Sequence, residues 1–172
     1  MIRAILGKSP QINDSVWVAD NAVITGDVLI GSDSSIFFYS IIRGDVNQIR
    51  IGDRTNIQDA CMIHGSTGKQ DTIIGNDVTI GHKAIIHGCV IEDHSLIGMG
   101  ATVLDDAIVE SNAIVAAGSV VPPRKVIKSG YLYGGVPAQI IRELNPQEVE
   151  ALIKETATNY VKLSKEYKAL NF

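Results

Sequence analysis

The chain has 172 residues, 45% hydrophobic and 20% charged, with a net charge of −4 and a pI near 5.5. That suits one soluble domain with a real core. The absence of a basic stripe sets nucleic acid aside as a partner. No apolar run approaches the roughly 18 residues a membrane span needs, no signal peptide is expected, and Cys61 and Cys89 are too few for a disulfide framework. The expected location is the cytoplasm.

From Ile12 onward an aliphatic residue recurs every six positions: Ile12, Val18, Ile24, Ile30, Ile36, Ile42. The period resumes at Ile51, Ile57, Ile63, then at Ile74, Ile80, Ile86, and again at Ile91, Ile97, Val103, Val109, Val115, Val121. A six-residue β repeat signals a parallel β-helix. A small residue stands four after many of the aliphatics, as Ala22, Ser34, Ser40, Ala84, Ala101, Ala107, Ala113 and Ser119. One aliphatic and one small inward residue per short strand fill a narrow prism, and Asp, Asn and Gly accept the bends at its corners. Three strands make one coil, so the eighteen units predict about six coils. The β-helix is expected over 1–123, a linker over 124–144 and a C-terminal helix over 145–172.

The period breaks three times. Three residues are added between Ile42 and Ile51, five between Ile63 and Ile74, and one is dropped between Ile86 and Ile91. Insertions in a solenoid bulge from a corner and often carry function. All three breaks surround His64, His82 and His87.

Counting units places these histidines. His64 and His87 each follow an aliphatic directly, one coil apart, so they stack about 5 Å apart along the axis. Arg43 joins that column one coil below. His82 stands two after Ile80, and Asp59 two after Ile57, so those two stack on a different edge with Gln58 beside them. Two stacked imidazoles suit one metal ion, and the third lies too far around the prism to join them. A neighbouring chain could supply it, since closed cyclic symmetry permits head-to-tail contacts. His94 has no partner in the columns and reads as a turn residue, as does the solvated pair Asp105-Asp106. Cys61 and Cys89 read as buried thiols, and Trp17, Phe37, Phe38 and Tyr39 as packing residues at the base or an oligomer face.

The C-terminal segment changes period. Asn145-Pro-Gln-Glu148 reads as a helix start, with Asn as the N-cap, Pro at the first position and Glu at the third. Val149, Leu152, Ile153, Tyr160, Leu163, Tyr167 and Leu170 follow at helical spacing, so this helix is expected to lie along the prism.

The motifs Arg43-Gly-Asp45, Asn56-Ile-Gln-Asp59, His64, Gly81-His-Lys-Ala-Ile-Ile-His-Gly-Cys89 and Tyr133-Gly-Gly-Val-Pro-Ala138 resemble the γ-class carbonic anhydrases. The resemblance implies a left-handed hand for the β-helix. It also implies a homotrimer that hydrates CO₂ to bicarbonate, with a metal at each subunit interface. His64 and His87 would come from one chain and His82 from the next, holding Zn²⁺, with Fe²⁺ or Co²⁺ as alternatives. Three nitrogens and an open position form the arrangement of catalytic zinc, which lowers the pKa of bound water to about 7, a value for which carbonic anhydrase is itself the reference case. By resemblance Gln58 and Asn56 orient hydroxide and substrate, Arg43, Asp45 and Asp59 pair across the interface, and Tyr131 stands in the pocket wall. The chain departs from the family pattern where Val46-Asn47-Gln48 follows Asp45 and where the Gly65–Thr72 loop lacks Glu, so the resemblance supplies no proton-shuttle residue. The alternatives are a hexapeptide acyltransferase or thioesterase, and a trimer that binds metal without catalysis.

Overall fold

A computed structural model describes residues 1–170. Residues 171 and 172, the end of the expected helical segment, lie outside the described residues. The chain winds as a parallel β-solenoid of about seven turns closed by one C-terminal helix. Three faces run the length of the prism. The first stacks Ile2, Ile24, Ile42, Ile63, Ile86, Val103 and Val121 in register. The second stacks Ile12, Ile30, Ile51, Ile74, Ile91, Val109 and Ile127. The third stacks Val18, Ile36, Ile57, Ile80, Ile97, Val115 and Tyr133. The inward aliphatics from Ile24 to Ile127 are buried, and so are the small residues expected between them. Truncating one such isoleucine to alanine costs about 2–5 kcal/mol, depending on how far the cavity collapses.

The corners explain the six-residue unit. The residue three after the inward aliphatic repeatedly takes a left-handed conformation: Asp33, Arg54, Asp77, His94 and Asn112 at one corner, Tyr39, Ala60 and Lys83 at another. Gly100, Gly118 and Gly130 occupy the same place in their units. His94 is thus a corner residue, as expected, although it does have a column neighbour: its Nδ1 lies 3.9 Å from Asp77 Oδ2, one coil below. Tyr39 is exposed on the single chain, apart from the aromatic cluster that Trp17, Phe37 and Phe38 form at the base.

The segment 124–144 is not a bare linker. Ile127 and Tyr133 continue the six-residue period, and strands Val126–Ile127 and Tyr131–Gly134 complete a seventh level. Strand Gln139–Glu143 then turns back antiparallel over Tyr131–Gly134 and ends the sheet. One strand per six residues was legible well past Val121, so six coils was one too few.

The helix begins as expected. The Asn145 side chain accepts from the Glu148 N–H at 2.9 Å, and the Glu148 carboxylate accepts from the Asn145 N–H at 3.0 Å. A π-helical stretch, Val149–Lys154, follows before the α-helix Glu155–Ala169. The extra residue in the π turn rotates the face that meets the prism. Ile153, Ala157 and Ser164 are buried and Tyr160 and Tyr167 half-buried, whereas Leu152, Leu163 and Leu170, expected on the same stripe, are exposed. The helix crosses strands Trp17–Val18, Ser35–Ile36 and Asn56–Ile57. Tyr167 stacks on Trp17 with ring centroids 4.6 Å apart, and Tyr160 meets Phe37 edge-on at 5.4 Å. Phe38 packs edge-on to both Trp17 and Tyr167. Cys61 and Cys89 are buried and unlinked, and burial pushes each thiol up to about 12.

The helix anchor carries a pH dependence. A double hydrogen bond from Arg142, together with the Asn145 N–H, holds the Glu148 carboxyl down to about 2. A carboxyl depressed on folding stabilises the fold above its unfolded pKa, and the contribution is lost as pH falls through the folded value. Helix docking, followed by fluorescence of Trp17 against Tyr167, is therefore expected to weaken between about pH 4.5 and pH 2. In Glu148→Gln that part of the acid dependence should be missing; an unchanged acid profile would assign it to other carboxylates.

Candidate metal centre

The ladder sets the site. Strands Met62–His64 and Ile85–His87 pair in parallel with His64 opposite His87. Their ring centroids are 5.3 Å apart, with the planes inclined at 60°. Both rings leave the corner where the first face passes into the second. Arg43 lies one coil below in the same column, since Ile42 pairs with Ile63. His82 lies five residues before His87, at the corner where the third face enters the first. Among the described residues, no three His, Cys, Asp or Glu side chains of one chain converge on a metal position.

Each imidazole has a carboxylate. His82 Nδ1 lies 2.7 Å from Asp59 Oδ2, and His87 Nδ1 2.6 Å from Asp105 Oδ1. Such a contact fixes the tautomer and ring orientation and leaves Nε2 as the nitrogen open to a further partner. His64 is different. Its Nε2 meets Asp45 Oδ1 at 3.0 Å and its Nδ1 faces Arg43 Nη2 at 3.4 Å. For His64 to ligate a metal, one of these contacts must open. Arg43 and Asp45 also pair with each other within the chain. Burial pushes the Asp45 carboxyl up, but the hydrogen bonds from Arg43 and His64 outweigh it and hold the group below its ordinary value.

The remaining expected residues divide. Gln58 and Asn56 are buried behind His82. Gln58 Oε1 accepts from the His82 backbone N–H at 3.2 Å, and its amide donates to Asn56 Oδ1 at 3.1 Å. Asn56 in turn donates to Thr79 Oγ1 at 2.9 Å. Asp59, expected to pair across an interface, holds His82 of its own chain. Tyr131 is not brought to any of the histidines within the chain. Its strand stacks three coils above Thr79–Ile80, and it sits at the opposite end of that strand from the His82 corner.

The Asp105-Asp106 pair is a turn, as expected, but its carboxylates are engaged and not simply solvated. Asp105 receives His87 and the Ser66 hydroxyl, the latter at 3.2 Å, and Asp106 lies 3.6 Å from Lys69. The signal was present: Asp105 stands two after Val103, one coil above Gly88, and Gly88 has no side chain to block it. A Cβ there would meet Asp105 Oδ1 at 2.4 Å. A cleft of about 270 Å³ opens beside His82, lined by Gln58, Leu96, Met99, Thr156 and Tyr160 among others. Tyr160, read in the sequence only as a packing residue, closes it from the helix.

The hexapeptide family described as "Bacterial transferase hexapeptide (six repeats)" matches residues 71–104 and 88–123. A "Probable carbonic anhydrase" of Methanocaldococcus jannaschii is 49% identical over 154 residues, covering 90% of this chain and 96% of that protein. The chain belongs to the γ-carbonic anhydrase family of hexapeptide-repeat proteins. "Gamma carbonic anhydrase 2, mitochondrial" of Arabidopsis thaliana is 45% identical over 93% of this chain, which spans only 59% of that relative's length. The solved structure of a Bacillus cereus family protein, described as a suspected acetyltransferase, superposes with a TM-score of 0.96 at 42% identity, covering 98% of this chain and 97% of that one.

Within this γ-carbonic anhydrase chain, the geometry makes Asp105 the orienting partner of His87. Asp105→Ala is expected to weaken metal binding roughly 10–100-fold in competition with a chelator. Unaltered affinity would mean that the carboxylate does not position the ring.

Proposed function

We propose that the chain is a metal-dependent carbonic anhydrase, a lyase that reversibly hydrates CO₂ to bicarbonate. Its metal would be held between subunits of a homotrimer by His64 and His87 of one chain and His82 of the next. The observation that carries this reading is the sorting of the imidazoles two and one onto adjacent corners, each beside a carboxylate. The donor set is three neutral nitrogens, which suits Zn²⁺ and also accepts Fe²⁺ or Co²⁺. When bound, such a metal supplies hydroxide at neutral pH by lowering the pKa of water to about 7, the value carbonic anhydrase itself exemplifies.

The chain's own groups orient and exclude. Asp59 and Asp105 hold the Nδ1 protons of His82 and His87. Gln58 has two amide hydrogens and gives one to Asn56. Its carbonyl is fixed by the His82 N–H, so the amide plane is set before substrate arrives. That gives Gln58 the role of steadying an oxygen nucleophile, with Asn56 locking its orientation. The aliphatic side of the cleft, Leu96, Ile97 and Met99, suits an uncharged apolar substrate such as CO₂ better than a charged one. Arg43 and Asp45 form a charged pair at the mouth of the two-histidine edge.

Elemental analysis of the purified protein should find one metal per chain, and stopped flow should find CO₂ hydration by the metal-loaded form. His82→Ala should lose both while sedimentation still reports a trimer. Metal retained in that variant would sink the shared centre, and a metal-loaded wild type that fails to exceed the uncatalysed rate would sink the hydratase reading. One comparison favours a second reading, the acetyltransferase description of the Bacillus cereus structure. Transfer of acetyl from acetyl-CoA to an acceptor panel, undiminished in His82→Ala, is what that reading requires.

A further inference from the structure

The two histidine strands leave the six-residue period immediately after their ligands. After His64 the chain departs into the Gly65–Asp71 insertion, and after His87 it turns at Gly88, which has φ +55°. The ladder holds the two strand ends opposite one another, and at that corner one side chain adds to it. Thr72, the first residue after the insertion, is fully buried. Its hydroxyl donates to the His64 carbonyl at 2.7 Å and accepts from the Gly88 N–H at 3.1 Å. The same N–H also reaches the His64 carbonyl at 3.1 Å. One hydroxyl thus closes a three-membered knot between the residue that is one ligand and the residue that follows the other.

The surroundings of Thr72 make the hydroxyl conspicuous. Its column on the second face reads Val28, Ile49, Thr72, Cys89, Ala107 from coil to coil. The other four of these are apolar or a buried thiol. A hydroxyl in such a column is costly unless hydrogen-bonded, and packing alone is met by valine, as Val28 shows two coils below. The bonds to His64 and Gly88 are what distinguishes threonine there. The insertion is held from its other side by Asn47, whose amide donates to the carbonyls of Ser66, Lys69 and Gln70 at 3.2, 2.6 and 3.2 Å. Ser66 in turn touches Asp105, the partner of His87.

We propose that Thr72 is a positioning residue for the metal centre, setting the separation and tilt of His64 and His87 through their strand ends. This rests on the reading of those histidines as ligands of one ion. Two nitrogens bound tetrahedrally at 2.0–2.1 Å stand roughly 3.4 Å apart, with their ring centroids roughly 5 Å apart, and the ring centroids here are 5.3 Å apart. The spacing therefore suits a shared ion as it stands, and such a geometry is tolerant of only about 0.5 Å of slippage between the strands that carry it.

The test compares Thr72→Val with Thr72→Ser in the full-length protein, using zinc alone as the probe. Chelator competition should show zinc binding weakened roughly 10–100-fold in the valine variant and restored to within about threefold by serine, which keeps the hydroxyl. The visible d–d bands of the Co²⁺-loaded protein should shift in the valine variant and not in the serine one. Both measurements are made well below the unfolding midpoint, with trimer content checked by sedimentation. A lower midpoint with unchanged zinc affinity and an unchanged cobalt spectrum would show a merely structural threonine and overturn the proposal. Should valine strain the site, Thr72→Ala removes the hydroxyl without added bulk and is expected to behave as valine does. A wild-type protein that binds no zinc would overturn the metal-centre reading and this inference together, whereas wild-type binding matched by both hydroxyl-less variants would overturn this inference alone.

Discussion

The ladder of backbone hydrogen bonds between successive coils is the constraint on which everything else here depends. A strand has a side-chain period of two, so a slip of one residue would turn each inward isoleucine to solvent. The stacked aliphatics of the three faces forbid that slip, and they hold register across all three breaks in the repeat. Insertions and the deletion are absorbed at corners, between one inward aliphatic and the next. Residues counted from those aliphatics therefore keep fixed positions in space whatever the corner does. His64 and His87 stay opposed although a five-residue insertion follows one and a missing residue follows the other.

That constraint also explains why the site is held firmly: His64 and His87 end paired strands, and His82, Asp59 and Asp105 sit in tight corner turns directly after such strands. Side chains that project from paired strands inherit the rigidity of the ladder. The carboxylates follow the same arithmetic: Asp59 comes from the coil below His82, and Asp105 from the coil above His87. Each imidazole is gripped by the neighbouring turn, so its orientation is a property of coil stacking. The cleft beside His82 has a similar origin, since the helix that closes it is fixed by aromatic rings on the lowest coils and by a capping box at its start.

Much of this was legible in the residues. The period, the inward small positions, the opposition of His64 and His87, the separate corner of His82 and the helix cap all follow from counting, because a solenoid converts sequence distance into spatial distance by one rule. What escaped had departed from that rule or had extended it. Tyr133 carries on the aliphatic column as an aromatic, which hid the seventh level, although Ile127 was in phase. The helix meets the prism along Ile153, Ala157, Tyr160, Ser164 and Tyr167, and Leu152, Leu163 and Leu170 flank that line, a choice of face that spacing alone does not make because both sets recur at helical intervals. Asp105 lies in a turn as its sequence suggests, and its grip on His87 is not legible there because it depends on reaching across to an adjacent coil past a glycine. The contacts at Tyr160 and Tyr167 needed knowledge of where the helix lies, which is a tertiary fact.

The three imidazoles are not equivalent, and the difference has a direction. His82 and His87 each have a carboxylate on Nδ1, so a metal approaching Nε2 finds the ring already oriented and disturbs nothing. His64 has Asp45 on Nε2 and Arg43 near Nδ1, and a metal must displace one of them. On the metal-centre reading, the Arg43–Asp45 pair is therefore the part of the site that rearranges when the ion arrives, and the two Nδ1 carboxylates are the parts that do not. Arg43 and Asp45 remain available to each other once His64 is released, since they already pair within the chain. The cost of freeing His64 is thereby reduced, because neither charge is left without a partner. The same two residues lie on an exposed edge, where a neighbouring subunit would meet them, so metal binding and subunit contact would draw on one small set of charges.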